Sequence, residues 1–402
     1  MSDTGTYNKV RIGRLKGDRV IWVIILLLAM ISLAVVYSAS SALAYRGSTT
    51  PFSIMIHQAM YYVLGFLILL ACYRIPLTFY RRLAYVFMGA AIILLAVPVF
   101  TDRLRTIAIG GVSIQPSEIA KIAVVLYLAR VIETSRLNTF KEYLLKILLP
   151  LGAVCVLCLA GSVSATLIVC FISFIILICS KVPGKYLLWT VPIAIGAVGV
   201  IFTVHELTGA FSRIDTFEAR VVRFVSRDDS AEMSAAELQE QRDKTFQEQQ
   251  AREAIQLGGI LGRGPGNSIK RDILPNAYDD YIYSIIVEEY GLAGGAFVIF
   301  LYLWFFYRCL KIASSCRKDF SLIAVLGLSS LITLQALLHI FVNTGIIPVT
   351  GQTLPMISRG GSSLVIMSSA FGIILSVNRT VEIQDLRIKA EKEAQTCGNT
   401  ES

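Results

Sequence analysis

The chain has 402 residues, of which 55% are hydrophobic and 16% charged, with a net charge of +9 and a mean hydropathy of +0.66. Soluble proteins carry about 25% charged residues, so a water-soluble globular chain is excluded and the apolar surplus must face lipid. No zinc-finger or RNA-binding motif accompanies the positive charge, which excludes nucleic acid as a partner and leaves cytoplasmic loops as its natural place.

Taken in chain order, apolar runs long enough to cross about 30 Å of hydrocarbon occur near 20–38, 54–73, 83–101, 117–133, 144–161, 163–180, 186–205, 281–307, 320–343 and 361–378. They predict an all-α, polytopic membrane protein of about ten transmembrane helices, seven within 20–206 and three within 281–378. The segments 1–19, 74–82, 130–146, 181–185, 308–318 and 379–402 hold 22 of the 37 Lys and Arg, whereas 39–53, 102–116 and 344–360 hold one, two and one. The positive-inside rule then puts the tails 1–19 and 379–402 in the cytoplasm and the long polar segment 207–280 outside. Ala42-Leu-Ala44 imitates a signal-peptidase site, but the preceding run is longer than a signal h-region and nine spans follow, so an uncleaved anchor is expected. The polar tail from Glu382 is expected to fray.

Cys155 and Cys158 have a CxxC spacing inside an apolar run, without a second pair or a nearby His, and read as small buried hydrophobes rather than a disulfide or metal site. His57, His205 and His339 share no metal-ligand spacing.

Ser113-Ile-Gln-Pro-Ser-Glu-Ile-Ala-Lys121 opens the fourth span. Pro116 suits the first helical position, which sets Glu118 among unpaired backbone donors and Lys121 at i+3 on the same face. An ion pair inside a lipid-bounded helix is a functional-site hypothesis, beside the alternative of a capping device that holds the bundle. In the segment 207–280, Met233–Gln256 is rich in Ala, Glu, Gln and Leu and predicts an outside helix, after which Gly258–Ser268 supplies five glycines as a flexible approach to the next span. Within it, Gly262-Arg-Gly-Pro-Gly-Asn-Ser268 invites a phosphate-loop reading without the GK[ST] ending, its backbone donors helped by Arg263 and Lys270.

Asp279 and Asp280 stand where that segment re-enters the membrane, a place where partial burial raises a carboxyl pKa toward general-base use, and where a helix cap would also need one acid. Glu288 and Glu289 lie about 12 Å further along, rotated about 80° and 180° from Asp280, so a metal cluster from one helix is improbable and pairing with other spans is expected. Pro348 to Ser363, with two prolines, three glycines and five hydroxyl residues between apolar runs, predicts a re-entrant or tightly folded outside loop; a plain connection is the alternative.

These motifs together resemble the family of shape, elongation, division and sporulation (SEDS) proteins, FtsW, RodA and SpoVE, over nearly the whole chain. The matching residues are Gln115-Pro-Ser-Glu-Ile-Ala-Lys121, Gly258 to Gly264 with Gly266-Asn-Ser268, Leu274-Pro with Asp280, Glu288-Glu-Tyr-Gly291, and Pro348-Val-Thr-Gly through Gly360-Gly-Ser-Ser363. The wording Val349-Thr-Gly-Gln-Thr-Leu-Pro355 is most similar to the cell-division branch. The resemblance implies a peptidoglycan glycosyltransferase of the cytoplasmic membrane, working at the division septum. Its substrate would be lipid II, the undecaprenyl-pyrophosphate-linked disaccharide pentapeptide, polymerised on the outer face. Its partners would be a class B penicillin-binding protein transpeptidase and other division-complex membrane proteins. The family carboxylate maps to Asp280, and the substrate-binding set it implies is Gln115, Glu118, Lys121, Arg263, Asn267, Ser268, Thr350, Ser358 and Ser362. Lys121 with Glu118, Arg263 and a divalent cation, magnesium or manganese, could clamp the leaving pyrophosphate. The chain departs from the family's usual residues at Thr106, Ser113, Ser162–Thr166 and His339. A lipid II flippase would also use ten spans and intramembrane charges, but should show paired broken helices in corresponding halves.

Overall fold

The computed structural model describes residues 17–40, 50–100, 107–109, 112–135, 137, 139–180, 182–208, 214, 218, 235–274 and 277–400; Ala42–Ala44, Thr106 and Pro275 lie outside them. Eleven helices follow in chain order: α1 Arg19–Ala39, α2 Pro51–Arg74, α3 Leu77–Phe100, α4 Pro116–Thr134, α5 Phe140–Gly161, α6 Val163–Cys179, α7 Gly184–Thr208, α8 Ala235–Gly258, α9 Ile282–Ser314, α10 Asp319–Asn343 and α11 Gly361–Thr400. All but α8 coincide with the ten expected spans. Eight are long and apolar enough to cross a membrane. The other two are α4, which carries Glu118, Lys121, Arg130 and Glu133, and α6, whose 17 residues reach about 25 Å.

Within the all-α plan a short antiparallel ribbon, β1 Ile107–Ile109 with β2 Val112–Ile114, stands just before α4, with Ile107 opposite Ile114. One expectation is corrected. The tail from Glu382 does not fray at once: its Glu, Lys, Ala and Leu content carries α11 on to Thr400.

The centre of the bundle is α4 against α10, with α3 and α6 closing on α4 and α9 on α10. Both central helices bury residues all round, as a helix without a polar face must. Along the other side α11 lies on α2, where small residues permit close approach. A Cβ on Gly372 would stand 2.6 Å from the Leu69 carbonyl oxygen, and one on Gly65 would stand 2.7 Å from Ser368 Oγ. By contrast α7 buries none of its apolar window, and Leu188, Ile195 and Leu207 point outward.

The helix expected within the long polar segment is present as α8, but the glycine segment after it is not a loose approach. Gly291 breaks α9 with φ 70° and ψ −176°, freeing backbone groups at membrane depth. The turn after α8 satisfies them: Arg263 N donates to Glu288 O at 3.0 Å, Gly264 N to Glu289 O at 2.9 Å, and Leu292 N to Gly259 O at 2.9 Å. Contact is backbone on backbone, since a Cβ on Gly258, Gly262 or Gly291 would fall within 2.2 Å of a carbonyl oxygen of the facing strand of chain. The segment is a strap across the break.

Candidate functional site

The turn that leads into α9 is held by its own carbonyl groups. Tyr278 O accepts from Arg359 N at 3.0 Å, Asp279 O from Ser358 Oγ at 2.9 Å, and Asp280 O from Asn343 Nδ2 at 3.0 Å. Three consecutive residues are thus tied to the Pro348–Ser363 loop and to the end of α10. Asn343 also accepts from Ser284 N at 3.1 Å and Ser284 Oγ at 2.9 Å, which seats the first turn of α9. Ser358 in turn accepts from Leu354 N at 2.8 Å, folding the loop on itself. That loop is therefore the tightly folded kind rather than a plain connection.

Two carboxylates and one guanidinium meet on this frame. Burial pushes the Asp279 carboxyl up to about 7, the negative charge of Asp280 adds to the rise, and Arg359 opposes it. Asp279 Oδ1 is buried without a hydrogen-bond partner among the described residues. The Arg359 guanidinium lies 5.0 Å above the Tyr278 ring and makes no hydrogen bond or ion pair among the described residues. Like charges crowded beside a cation push two carboxyl groups apart in acidity, the arrangement from which acid and base roles arise.

Deeper in the bundle, Lys121 is sealed. Its ammonium donates to Glu118 Oε1 at 2.7 Å, Gln335 Oε1 at 2.7 Å and Gln352 Oε1 at 3.5 Å. Gln335 Nε2 reaches Thr353 O at 3.3 Å and His339 Nδ1 donates to Gln352 O at 2.7 Å, so the cluster fastens α4 and α10 to the same loop. Glu118 Oε2, His339 Nε2 and Thr350 Oγ1 are buried acceptors left open by these bonds.

Several expected site residues are spent elsewhere. Lys121 has three donors and three partners, so it has none left for a pyrophosphate and supports the site from below. Ser358 holds the Asp279 carbonyl instead of a ligand. The phosphate-loop reading fails for the same reason: the Arg263 and Gly264 amides serve α9, Asn267 Nδ2 closes the turn on Arg263 O at 3.2 Å, and Ser268 Oγ donates to Glu288 Oε2 at 2.5 Å. Lys270 is paired with Glu253 and Gln250, both at 2.6 Å. Glu288 also accepts from the Ile269 and Lys270 amides, so it pairs with the strap and not with another span, while Glu289 does bond Ser38 of α1. Gln115 caps α4 through its backbone alone, and Ser362 sits half-buried at the second residue of α11. No three His, Cys, Asp or Glu side chains converge among the described residues. A magnesium or manganese ion at the site would take most of its ligands from phosphate oxygens and water.

Asn343, Gln335, Gln352 and Arg359 were not among the expected site residues. A signal existed for two of them: Gln335, His339 and Asn343 recur at i, i+4 and i+8, a polar stripe on one face of an otherwise apolar helix.

Residues 18–383 match the family described as "Cell cycle protein", which spans FtsW, RodA and SpoVE. The "Probable peptidoglycan glycosyltransferase FtsW" of Bacillus subtilis (strain 168) is 32% identical over 70% of this chain and 69% of its own length. That of Thioalkalivibrio sulfidiphilus is 29% identical over 96% and 95%. Among solved structures, a chain of a peptidoglycan synthase complex coordinating polymerization and crosslinking superimposes with TM-score 0.70 at 22% identity, covering 92% of this chain and 99% of that one. The rod shape determining protein RodA of Thermus thermophilus gives 0.63 at 20%, covering 90% and 97%. The two structures share the fold, and with a family match over nearly the whole length this chain belongs to the FtsW/RodA/SpoVE family of cell cycle proteins.

Proposed function

We propose that this multi-pass membrane protein polymerises lipid II at the turn that opens α9, with Asp280 as the base. The chain is a peptidoglycan glycosyltransferase, most like the FtsW branch of its family. The observation that carries the assignment of the site is the triple anchoring of the 278–280 carbonyls, which fixes a carboxylate pair beside an uncommitted guanidinium. Such fixing is what an enzyme needs in order to hold a base in line with its proton, where misplacement by about 1 Å can cost 100-fold.

The donor sugar is α-linked to pyrophosphate and the product is a β-1,4 glycan, so one displacement with inversion suffices. The acceptor 4-hydroxyl oxygen forms the new bond to the donor anomeric carbon as the bond from that carbon to the pyrophosphate oxygen breaks. The hydroxyl proton passes to Asp280, and the departing lipid pyrophosphate gains one negative charge. Arg359, whose guanidinium has five donors and makes no hydrogen bond among the described residues, is the cation placed to receive that charge. Asp279, with its carboxyl near 7, can hold a proton while Asp280 carries the negative charge. A divalent cation riding on the pyrophosphate would add to the same stabilisation.

In this reading the tails 1–19 and 379–402 lie in the cytoplasm, α8 lies outside, and the enzyme works at the division septum beside a class B penicillin-binding protein and other division-complex membrane proteins. The likeness to a chain of a synthase complex fits such a partner. The test is glycan-strand formation from purified lipid II by the solubilised chain, alone and with the cognate penicillin-binding protein carrying an inactive transpeptidase. Strands from the wild type and none from a folded Asp280→Asn variant are expected. Strands from both would remove Asp280 from the mechanism.

A further inference from the structure

On the face of the bundle opposite Asp280, roughly 40 Å along α9, a cavity of about 440 Å³ opens between the start of α1, the last turns of α9 and the extension of α11. Its wall carries both signs of charge. Asp18 and Arg308 are already paired, with Oδ2 at 2.7 Å from Nε and 2.5 Å from Nη2, and Glu382 accepts from Gly17 N at 2.8 Å. Those contacts fasten α11 and α9 to the start of α1 and build the rim. Two groups are left over. The Lys311 ammonium rests 4.8 Å above the Tyr307 ring without an ion pair among the described residues, and the Asp385 carboxylate has no partner among them.

An uncommitted cation and an uncommitted anion on one cavity wall complement a zwitterion. The Ser315 hydroxyl lies one helical turn beyond Lys311 on the same wall and donates to Lys311 O at 3.2 Å, which leaves the Lys311 ammonium as the group for a phosphate. The carboxylates of Asp385 and Glu382 offer acceptors for an ammonium. An apolar stripe, Leu303, Tyr307 and Leu310, leaves the cavity along the lipid-facing side of α9 at i, i+4 and i+7, and each of these is at least 39% exposed. A headgroup in the cavity would lay its acyl chains on that stripe, whereas a soluble zwitterion or a peptide would leave it without purpose. We propose that this cavity binds the headgroup of a phospholipid that carries a phosphate and a primary ammonium, of the phosphatidylethanolamine type. The site is independent of the catalytic reading, since it lies at the far membrane face and uses none of those residues.

The test is lipid retention by the full chain in native mass spectrometry, using phosphatidylethanolamine, phosphatidylcholine and phosphatidylglycerol with the same acyl chains. One partly exposed charge pair is worth roughly 1.5- to five-fold in affinity. Phosphatidylethanolamine is therefore expected to be retained over each of the others by about that factor, because both keep the phosphate but phosphatidylcholine lacks ammonium N–H donors and phosphatidylglycerol lacks the cation. Lys311→Gln with Asp385→Asn should abolish the preference, and Lys311→Arg should keep it, which separates loss of the site from loss of folding. Equal retention of phosphatidylglycerol would mean a plain cationic surface. A preference that survives the double substitution would place the lipid elsewhere, and no retained lipid would leave the cavity without this ligand; each of these results overturns the proposal.

Discussion

Asn343→Ala removes the side chain that ties α10 to the turn of 278–280. Its amide serves Asp280 O and His339 O, and its carbonyl serves the Ser284 amide and hydroxyl. The Ser284 amide keeps a second acceptor in Tyr281 O at 3.1 Å, so the bonds lost outright are those to the Asp280 carbonyl and from the Ser284 hydroxyl. At about 1–3 kcal/mol for each buried group left unmade, the folded state should lose about 2–6 kcal/mol. Activity should fall more than the folded fraction does, because the carboxylate at 280 is released from its register; on the order of 100-fold is expected for a displacement near 1 Å. Asn343→Asp retains the acceptor for Ser284 but turns a carboxylate oxygen on Asp280 O and His339 O, so it should be no more stable than Asn343→Ala and equally inactive. The assay is the rate of strand elongation on lipid II, normalised to folded protein by thermal unfolding in detergent, with Thr344→Ala as a neighbour that bonds only its own helix through Ile340 O and Phe341 O. A wild-type elongation rate in folded Asn343→Ala would refute the argument, as would an equal loss in Thr344→Ala.

Three further outcomes follow from the same geometry. Asp279 is an acid raised from 3.8 to about 7, so the folded state binds more protons than the unfolded state between those values and loses stability as pH rises through that window, by up to about 4 kcal/mol; Asp279→Asn should flatten this decline in thermal melts and remove any inflection near pH 7 from the rate profile. Lys121→Met leaves Glu118 as a buried unpaired acid and should cost about 3–5 kcal/mol, while Lys121→Met with Glu118→Gln should cost less than Lys121→Met alone; a double variant as unstable as the sum of the single ones would show that the pair is not coupled. Gly262→Ala puts a Cβ 2.2 Å from Glu289 O at φ +80°, whereas Gly266→Ala has a like φ of +79° and open space, so greater protease sensitivity in the first than in the second would report loss of the strap rather than the conformational cost of about 1–2 kcal/mol both share.

The bundle was legible in the sequence because lipid allows few solutions: each long apolar run became a helix, and the polar stretch at 233–256 became α8. The pairing of Glu118 with Lys121 was legible too, since i+3 spacing alone brings them together. What the sequence hid was who consumes which donor. Gly262 to Ser268 has the composition of an anion-binding turn, yet its amides are taken by carbonyls that the break at Gly291 releases, and nothing local to either segment announces that they face each other. Asn343 was hidden by its neighbours, a lone amide at the end of an apolar helix whose use depends on a turn 63 residues earlier.

Commitment, not charge, is what separates the supporting residues from those open to a substrate. Lys121 and Arg359 are both cations near the Pro348–Ser363 loop, but the first has as many partners as donors and the second stacks on a ring with its donors open. The same distinction runs through the acids of α9 and its approach. Glu288 has both oxygens occupied by the strap, one by Ser268 and the other by two amides, so it offers a ligand nothing. Asp279 has its backbone fixed and a carboxyl oxygen unpaired, a condition burial penalises and only a proton, water or ligand relieves. Asp279 joins a rigid backbone to an unsatisfied carboxyl oxygen, and the cost of that falls on the turn to which the proposed mechanism assigns proton transfer.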